Sequence, residues 1–212
     1  MWVRPECRAA VAAQIADGVT HTQVAAWLAA DRPLVVARQP DAALPDTLAL
    51  GLVLPPALGK CRIALRVASH DIVRHSLPLR LADVISHAPA AWRPALAELD
   101  FAATDIGLEL RVFGSFSWQS LSGLPYLTPQ SDIDLLWHPR SHTQVQQGIE
   151  LLARWEQSSG MRADGEVLFG ANSAVSWREW WQLKSGGDQR VLVKRDHSAG
   201  LVAARELLEL LA

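Results

Sequence analysis

Asp132 and Asp134, separated by Ile133 and followed by Leu135-Leu136-Trp137, are the residues of this chain best suited to chemistry. The apolar run around them reads as a strand, and residues two apart in a strand project from the same face. The two carboxylates would stand together, about 7 Å apart along the strand, while Ile133 points into a core. Ionised carboxylates at that spacing repel each other, and a cation between them removes the repulsion. Carboxylate oxygens suit Mg²⁺, which keeps several waters and is commonly completed by substrate phosphates. Upstream, Leu110-Arg111-Val112-Phe113 reads as another strand and ends at Gly114-Ser115. A glycine followed by a small hydroxyl residue leaves the backbone open to phosphate oxygens. Strand, Gly-Ser, strand with Asp-x-Asp is therefore a phosphate-plus-metal arrangement. On a solvated sheet edge the same Asp pair would be structural. The apolar strand that carries it and the Gly-Ser before it favour the functional reading.

The elements that must position these groups follow from apolar periodicity. In the first part of the chain, Thr22–Ala30 has helical spacing with Pro33 beyond it, and Ala9–Ala16 reads as one face of a helix. Leu34–Ala37, Leu48–Leu54 and Ile63–Val67 are strand candidates, with Pro55–Lys60 a loop between the last two. A short helix is expected over Leu81–Ser86. Beyond it the expected order is helix 90–104, strand 108–113, loop or short helix 115–130, strand 132–137 and helix 142–157. Strand 162–168, helix 175–183, strand 189–194 and helix 199–211 complete it. This alternation predicts an α+β, α/β-like domain with helices covering a sheet. The expected division is an N-terminal domain over residues 1–85 and a catalytic domain over 86–212.

Bulk composition narrows the function classes. Of 212 residues, 50% are hydrophobic and 20% charged, enough to bury a substantial core and too apolar for a disordered chain. A net charge of -2 and a pI near 6.4 argue against a nucleic-acid partner held by a basic surface. Cys7 and Cys61 lack metal-ligand spacing and are expected to be inert thiols in a reducing cytoplasm. The longest apolar run, Leu48–Leu58, is broken by Gly51, Pro55 and Pro56 and is too short to span a bilayer. No two of the seven histidines share a helical i,i+4 placement beside a carboxylate (His138 and His142 are four apart, but the expected helix starts only at 142), so no zinc site is expected. His138 is the histidine nearest the Asp pair and reads as structural. Val24-Ala25-Ala26-Trp27-Leu28 is followed by no basic recognition helix and reads as a packed amphipathic helix.

The segment Arg111-Val112-Phe113-Gly114-Ser115-Phe116-Ser117-Trp118-Gln119, with Leu121–Tyr126 and Ser131–Leu136, resembles the nucleotidyltransferase (DNA polymerase β-like) superfamily. Within it, the chain resembles the malonate decarboxylase holo-acyl-carrier-protein synthases, a family of phosphoribosyl-dephospho-CoA transferases. The likeness extends to Pro33-Leu34-Val35-Val36-Ala37-Arg38, Leu54-Pro55-Pro56 with Gly59-Lys60, Val175-Ser176-Trp177-Arg178-Glu179 and Val191-Leu192-Val193-Lys194. It implies a nucleotidyltransferase-fold catalytic domain with a smaller N-terminal α/β domain. The implied reaction is attack by a serine of the apo acyl carrier protein of malonate decarboxylase on 2'-(5''-triphosphoribosyl)-3'-dephospho-CoA, with release of pyrophosphate. Asp132 and Asp134 would hold Mg²⁺, and Gly114 and Ser115 would bind the phosphates.

A third carboxylate on a neighbouring strand is also implied, and Asp164 and Glu166 are the candidates. They too are two apart and share a face, although Asp164-Gly165 alone would suit a turn. Their expected role is to deprotonate the acceptor hydroxyl or to complete the metal shell. Trp118 is either a stacking surface for a base or a core residue. Lys194, ending an apolar strand, is either a surface lysine or a point charge for phosphate. Arg178-Glu179 reads as an ion pair framing the site, and Lys60 and Arg62 as contacts to substrate or carrier. Two other classes stay open: a nucleotidyltransferase with an ordinary NTP donor acting on a small alcohol or protein, and a non-catalytic nucleotide-binding module.

Overall fold

Alternating apolar residues in two adjacent strands build the first part of the molecule, and an apolar stripe on long helices builds the second. The computed structural model describes residues 1–39, 46–183 and 189–211. By contacts the chain divides into two units: Met1–Leu77 with Leu121–Pro125, and Pro78–Ser120 with the chain from Tyr126 onwards.

The first unit contains β1 (Trp2–Val3), α1 (Arg8–Ala12), α2 (Gly18–Ala29), β2 (Val35–Val36), β3 (Thr47–Val53), β4 (Arg62–Ala68) and β5 (Ile72–Arg74). An antiparallel sheet runs in the order β2-β3-β4, and β1 pairs with β5 in a second, two-stranded one. Leu50 and Leu52 of β3, Ile63, Leu65 and Val67 of β4, and Val24, Trp27 and Leu28 of α2 are all buried. The Asp17 carboxylate accepts from the Thr20 N–H at 2.7 Å and caps α2, satisfying one of the donors that a helix start leaves open. Gln14 closes the outer edge of β4 by accepting from the Arg66 N–H (2.9 Å) and donating to the Arg66 carbonyl (2.6 Å).

The second unit opens with β6 (Leu79–Arg80), α3 (Leu81–Val84), α4 (Arg93–Asp105), β7 (Arg111–Val112), α5 (Gly114–Ser122, of which Leu121 and Ser122 count with the first unit) and β8 (Ile133–Trp137). It continues with α6 (His142–Ser159), β9 (Ala163–Phe169), β10 (Ser173–Ser176), α7 (Trp177–Trp181), β11 (Arg190–Lys194), β12 (Ala199–Ala203) and α8 (Ala204–Leu208). One seven-stranded sheet runs β12-β11-β10-β9-β8-β7-β6. Its pairs are antiparallel except β8 and β9, which run parallel and are joined through α6. Ser141 caps α6 by accepting from the Gln144 N–H, and Gly160 ends it in the left-handed conformation. Val145, Ile149, Leu152 and Trp155 form the buried stripe of α6, and the Trp155 indole donates to the Ala95 carbonyl on α4 at 2.8 Å.

The mixed α+β character matches the sequence-based expectation, with several differences in detail. Residues 78–85, expected with the N-terminal domain, join the second unit because β6 pairs with β7 and the Leu81 N–H donates to Leu110 O. The strand expected over 108–113 is a regular strand at Arg111–Val112, with single backbone bonds at Leu110 and Phe113 on either side. The segment 175–183, expected as one helix, is the end of β10 followed by the short α7. The segment 199–211 starts as β12, in register with β11 from Lys194↔Ala199 to Arg190↔Ala203, before α8 begins. In both cases tryptophans or leucines further along give a helical period that hides a preceding strand of alanine, glycine and serine.

Candidate active site

The alternation of β8 sends Ile133, Leu135 and Trp137 into the core and leaves Asp134 and Leu136 on the other face, with Asp132 just before the strand. The parallel register then sets Asp134 opposite Asp164 and Leu136 opposite Glu166. As a result Asp132, Asp134 and Asp164 each offer a carboxylate oxygen within 4.8 Å of the other two. Asp132 and Asp134 are partly buried and Asp164 is exposed. Two ionised carboxylates at that separation repel by about 3–4 kcal/mol at an effective dielectric of about 20, so the trio favours a cation. A set of hard oxygen donors with one solvent-facing member fits Mg²⁺.

Two glycines allow this approach. At Gly165 (φ +150°) an added Cβ would land on the Leu135 carbonyl oxygen, 2.9 Å from Leu135 C and N. β9 is thus pressed against β8 at a point where no side chain fits, and Asp164 is carried next to Asp134. The Asp164 carboxylate accepts from the Gly165 N–H at 2.8 Å, so this Asp-Gly pair lies within a strand and not in a turn. At Gly114 (φ +60°) an added Cβ would fall on the Asp134 carboxylate, 2.6 Å from its Cγ. Gly114 begins α5, which resolves the expected loop or short helix over 115–130 in favour of a helix up to Ser122. The first N–H groups of a helix have no partner within it and carry positive partial charge. Gly114 and the half-buried Ser115 therefore place a helix start, with its positive partial charge, directly beside Asp134.

The other expected residues are placed differently. Glu166 does not reach the trio; its Oε1 takes the Lys194 ammonium at 2.6 Å. Lys194 is therefore an ion-paired cation on the face that carries Asp164. Trp118 is 5% exposed and stacks on Tyr126 with centroids 6.3 Å apart, which makes it a packing residue of α5 and not an open stacking surface. Arg178 pairs with Glu156 on α6 at 2.5 Å and not with Glu179. Glu179 instead accepts from the Leu192 N–H at 2.6 Å. Adjacent helical residues diverge, so nearness in sequence gave the wrong partner. Glu156 itself carried no signal in the sequence, because its target is the backbone of Ala163, to which it is joined at 2.7 Å. Lys60 and Arg62 lie in the first unit, Lys60 at φ +50° and Arg62 exposed at the start of β4.

A family model described as the phosphoribosyl-dephospho-CoA transferase MdcG N-terminal domain matches residues 1–78, and one for the MdcG C-terminal domain matches residues 80–205. The chain belongs to the MdcG family. A phosphoribosyl-dephospho-CoA transferase of Xanthomonas campestris pv. campestris (strain 8004) is 48% identical over 177 residues, covering 84% of this chain and 81% of that protein. The like-named protein of Xanthomonas axonopodis pv. citri (strain 306) is 45% identical over 176 residues, 83% of this chain and 81% of its own length. That of Bradyrhizobium diazoefficiens is 41% identical over 147 residues, 69% of this chain and 63% of its own length. No solved structure matches the chain. The carboxylate trio and Gly114-Ser115 all fall within the MdcG C-terminal region. Among the described residues no helix is long and apolar enough to cross a membrane.

Proposed function

We propose that this chain is a phosphoribosyl-dephospho-CoA transferase. Its donor is 2'-(5''-triphosphoribosyl)-3'-dephospho-CoA and its acceptor a serine of the apo acyl carrier protein of malonate decarboxylase. The observation that carries the reading is the carboxylate trio beside the glycine-started helix α5, in a chain of the MdcG family. A strand ending in Gly-Ser, a helix start and a following Asp-x-Asp strand also support a nucleotidyltransferase-type catalytic domain. A triphosphate is strongly anionic and does not approach three carboxylates unless cations intervene, which supports a Mg²⁺-dependent site.

In the reaction the serine Oγ forms a bond to the α-phosphorus, the bond from that phosphorus to the pyrophosphate oxygen breaks, and the serine proton leaves. Asp132 and Asp134, the partly buried pair, would hold Mg²⁺. Bound Mg²⁺ would offset phosphate charge and polarise the phosphoryl oxygens. Gly114 and Ser115 bind the departing phosphates through backbone N–H groups and the hydroxyl. Asp164, the exposed member, accepts the serine proton or completes the metal shell. Lys194, held by Glu166, adds a positive charge on the same face. Much of the rate then comes from positioning and charge stabilisation. The N-terminal unit serves donor or carrier binding, and a cytoplasmic setting agrees with the free thiols of Cys7 and Cys61.

The test is intact-mass spectrometry of apo carrier protein incubated with enzyme, donor and Mg²⁺. The carrier should gain the mass of one phosphoribosyl-dephospho-CoA group on serine, and chelation of the metal should abolish the gain. A carrier that instead gains a nucleotide from plain ATP would assign the chain to ordinary nucleotidyl transfer.

A further inference from the structure

The peptide that leads into Asp164 is held by two helices. Ala163, the residue before it, is fully buried. Its N–H donates to Glu156 Oε1 on α6 at 2.7 Å. Its carbonyl accepts from Arg178 Nη2 on α7 at 2.8 Å and from the Trp177 indole at 3.2 Å. Arg178 Nη2 also donates to the same Glu156 Oε1 at 2.5 Å, and its guanidinium lies over the Trp177 ring, 4.5 Å from the centroid. Carboxylate, guanidinium and the Ala163 backbone, with its N–H and carbonyl in successive peptides, thus close a ring of contacts. The Ile133 N–H bonds one residue earlier, to the Arg162 carbonyl, so both polar groups of Ala163 are taken by side chains from outside the sheet. Ala163 points into the core and Asp164 to the opposite face. A rotation of the peptide between them would swing the Asp164 carboxylate relative to Asp132 and Asp134.

We propose that Arg178 and Glu156 are positioning residues that set the Asp164 carboxylate within the metal-binding trio, an inference that rests on the reading of that trio above. The side chains are 36% and 18% exposed, so loss of one leaves the other poorly solvated. Supporting groups of this kind typically change metal affinity or activity by about 10–100-fold when removed.

The test uses the full chain and the variants Arg178→Met, Arg178→Lys, Asp164→Asn and Arg178→Met/Asp164→Asn. Two readouts are taken: steady-state transfer to the carrier, and Mn²⁺ binding to the enzyme without substrate by electron paramagnetic resonance. Arg178→Met should lower kcat by about 10–100-fold, leave the KM for the donor within about threefold and weaken Mn²⁺ binding by about tenfold. Arg178→Lys, which keeps the cation, should recover part of both. In the Asp164→Asn background, Arg178→Met should cost less than about twofold more, because a residue that acts through Asp164 has nothing left to position.

An equal loss in both backgrounds would overturn the proposal, as would wild-type kcat and Mn²⁺ affinity in Arg178→Met while Asp164→Asn loses both. Wild-type behaviour of Asp164→Asn itself would overturn the reading of the trio, a separate failure. Should Arg178→Met not fold, Glu156→Gln, which keeps an acceptor for the Ala163 N–H, is measured in the same two backgrounds.

Discussion

A carboxylate within 4.8 Å of two others does different work with and without a cation, and substitutions at the trio should show both sides. Asp132→Ala or Asp134→Ala should lower turnover by at least about 10²-fold, through lost charge stabilisation. Asp132→Asn should not lower the Tm in metal-free buffer, since it removes one of three mutually repelling charges. Mg²⁺ at about 100 times its Kd should stabilise the wild-type fold by about 2.7 kcal/mol, and differential scanning fluorimetry should find most of that gain missing in Asp134→Asn. Gly114→Ala should be as damaging to turnover as either Asp variant, because its Cβ meets the Asp134 carboxylate and its φ is left-handed. At this scale the Asp pair was legible because strand periodicity alone put both carboxylates on one face. Asp164 and Glu166 were both candidates for the same reason, with Asp164 put first. Only the register of β8 against β9, which no local pattern encodes, sets Asp164 beside Asp134 and leaves Glu166 to Lys194.

Between elements, the parallel β8–β9 contact is the feature on which the site depends. Gly165→Ala would drive a Cβ into the Leu135 backbone and push the two strands apart, at a cost on the order of 1–3 kcal/mol for overpacking. It should lower both the Tm and the Mg²⁺-induced stabilisation, whereas Leu152→Ala in the buried stripe of α6 should cost about 2–5 kcal/mol and leave the stabilisation by Mg²⁺ largely in place. Equal effects of the two variants on Mg²⁺ stabilisation would separate the strand contact from the site. The long elements were readable: α6 has a cap, a left-handed glycine stop and a helical stripe, and β8 has clean alternation. β10 and β12 were not, since Ser173–Ser176 and Ala199–Ala203 contain one β-branched residue each, Val175 and Val202, and owe their strand state to their neighbours in the sheet. α5 was half legible: residues 115–130 read as a loop or a short helix, and the packing of Phe116 and Trp118 decides for the helix.

Across the molecule, each unit has its own buried core, and stability away from the site should respond to pH through groups such as Asp100 on α4. Burial pushes its carboxyl above the usual range, aided by the charges of Asp83 and Glu109 and opposed by Arg80 and the Ala82 N–H. A raised carboxyl favours the folded state while protonated, and that contribution is lost as pH rises through its folded value. Asp100→Asn should therefore have a higher Tm than wild type at pH 7, by a few degrees at most. The difference should vanish below the normal carboxylate range; a difference that does not change with pH would contradict the assignment. The central claim, that the trio and the Gly114-Ser115 helix start transfer this particular prosthetic group, is most directly tested by pyrophosphate release with Mg²⁺. The assay compares triphosphoribosyl-dephospho-CoA with ATP, each with and without apo carrier, alongside Asp132→Asn. Release that requires the special donor, the carrier and Asp132 is the predicted result. Release from ATP alone, or undiminished release by Asp132→Asn, would contradict it.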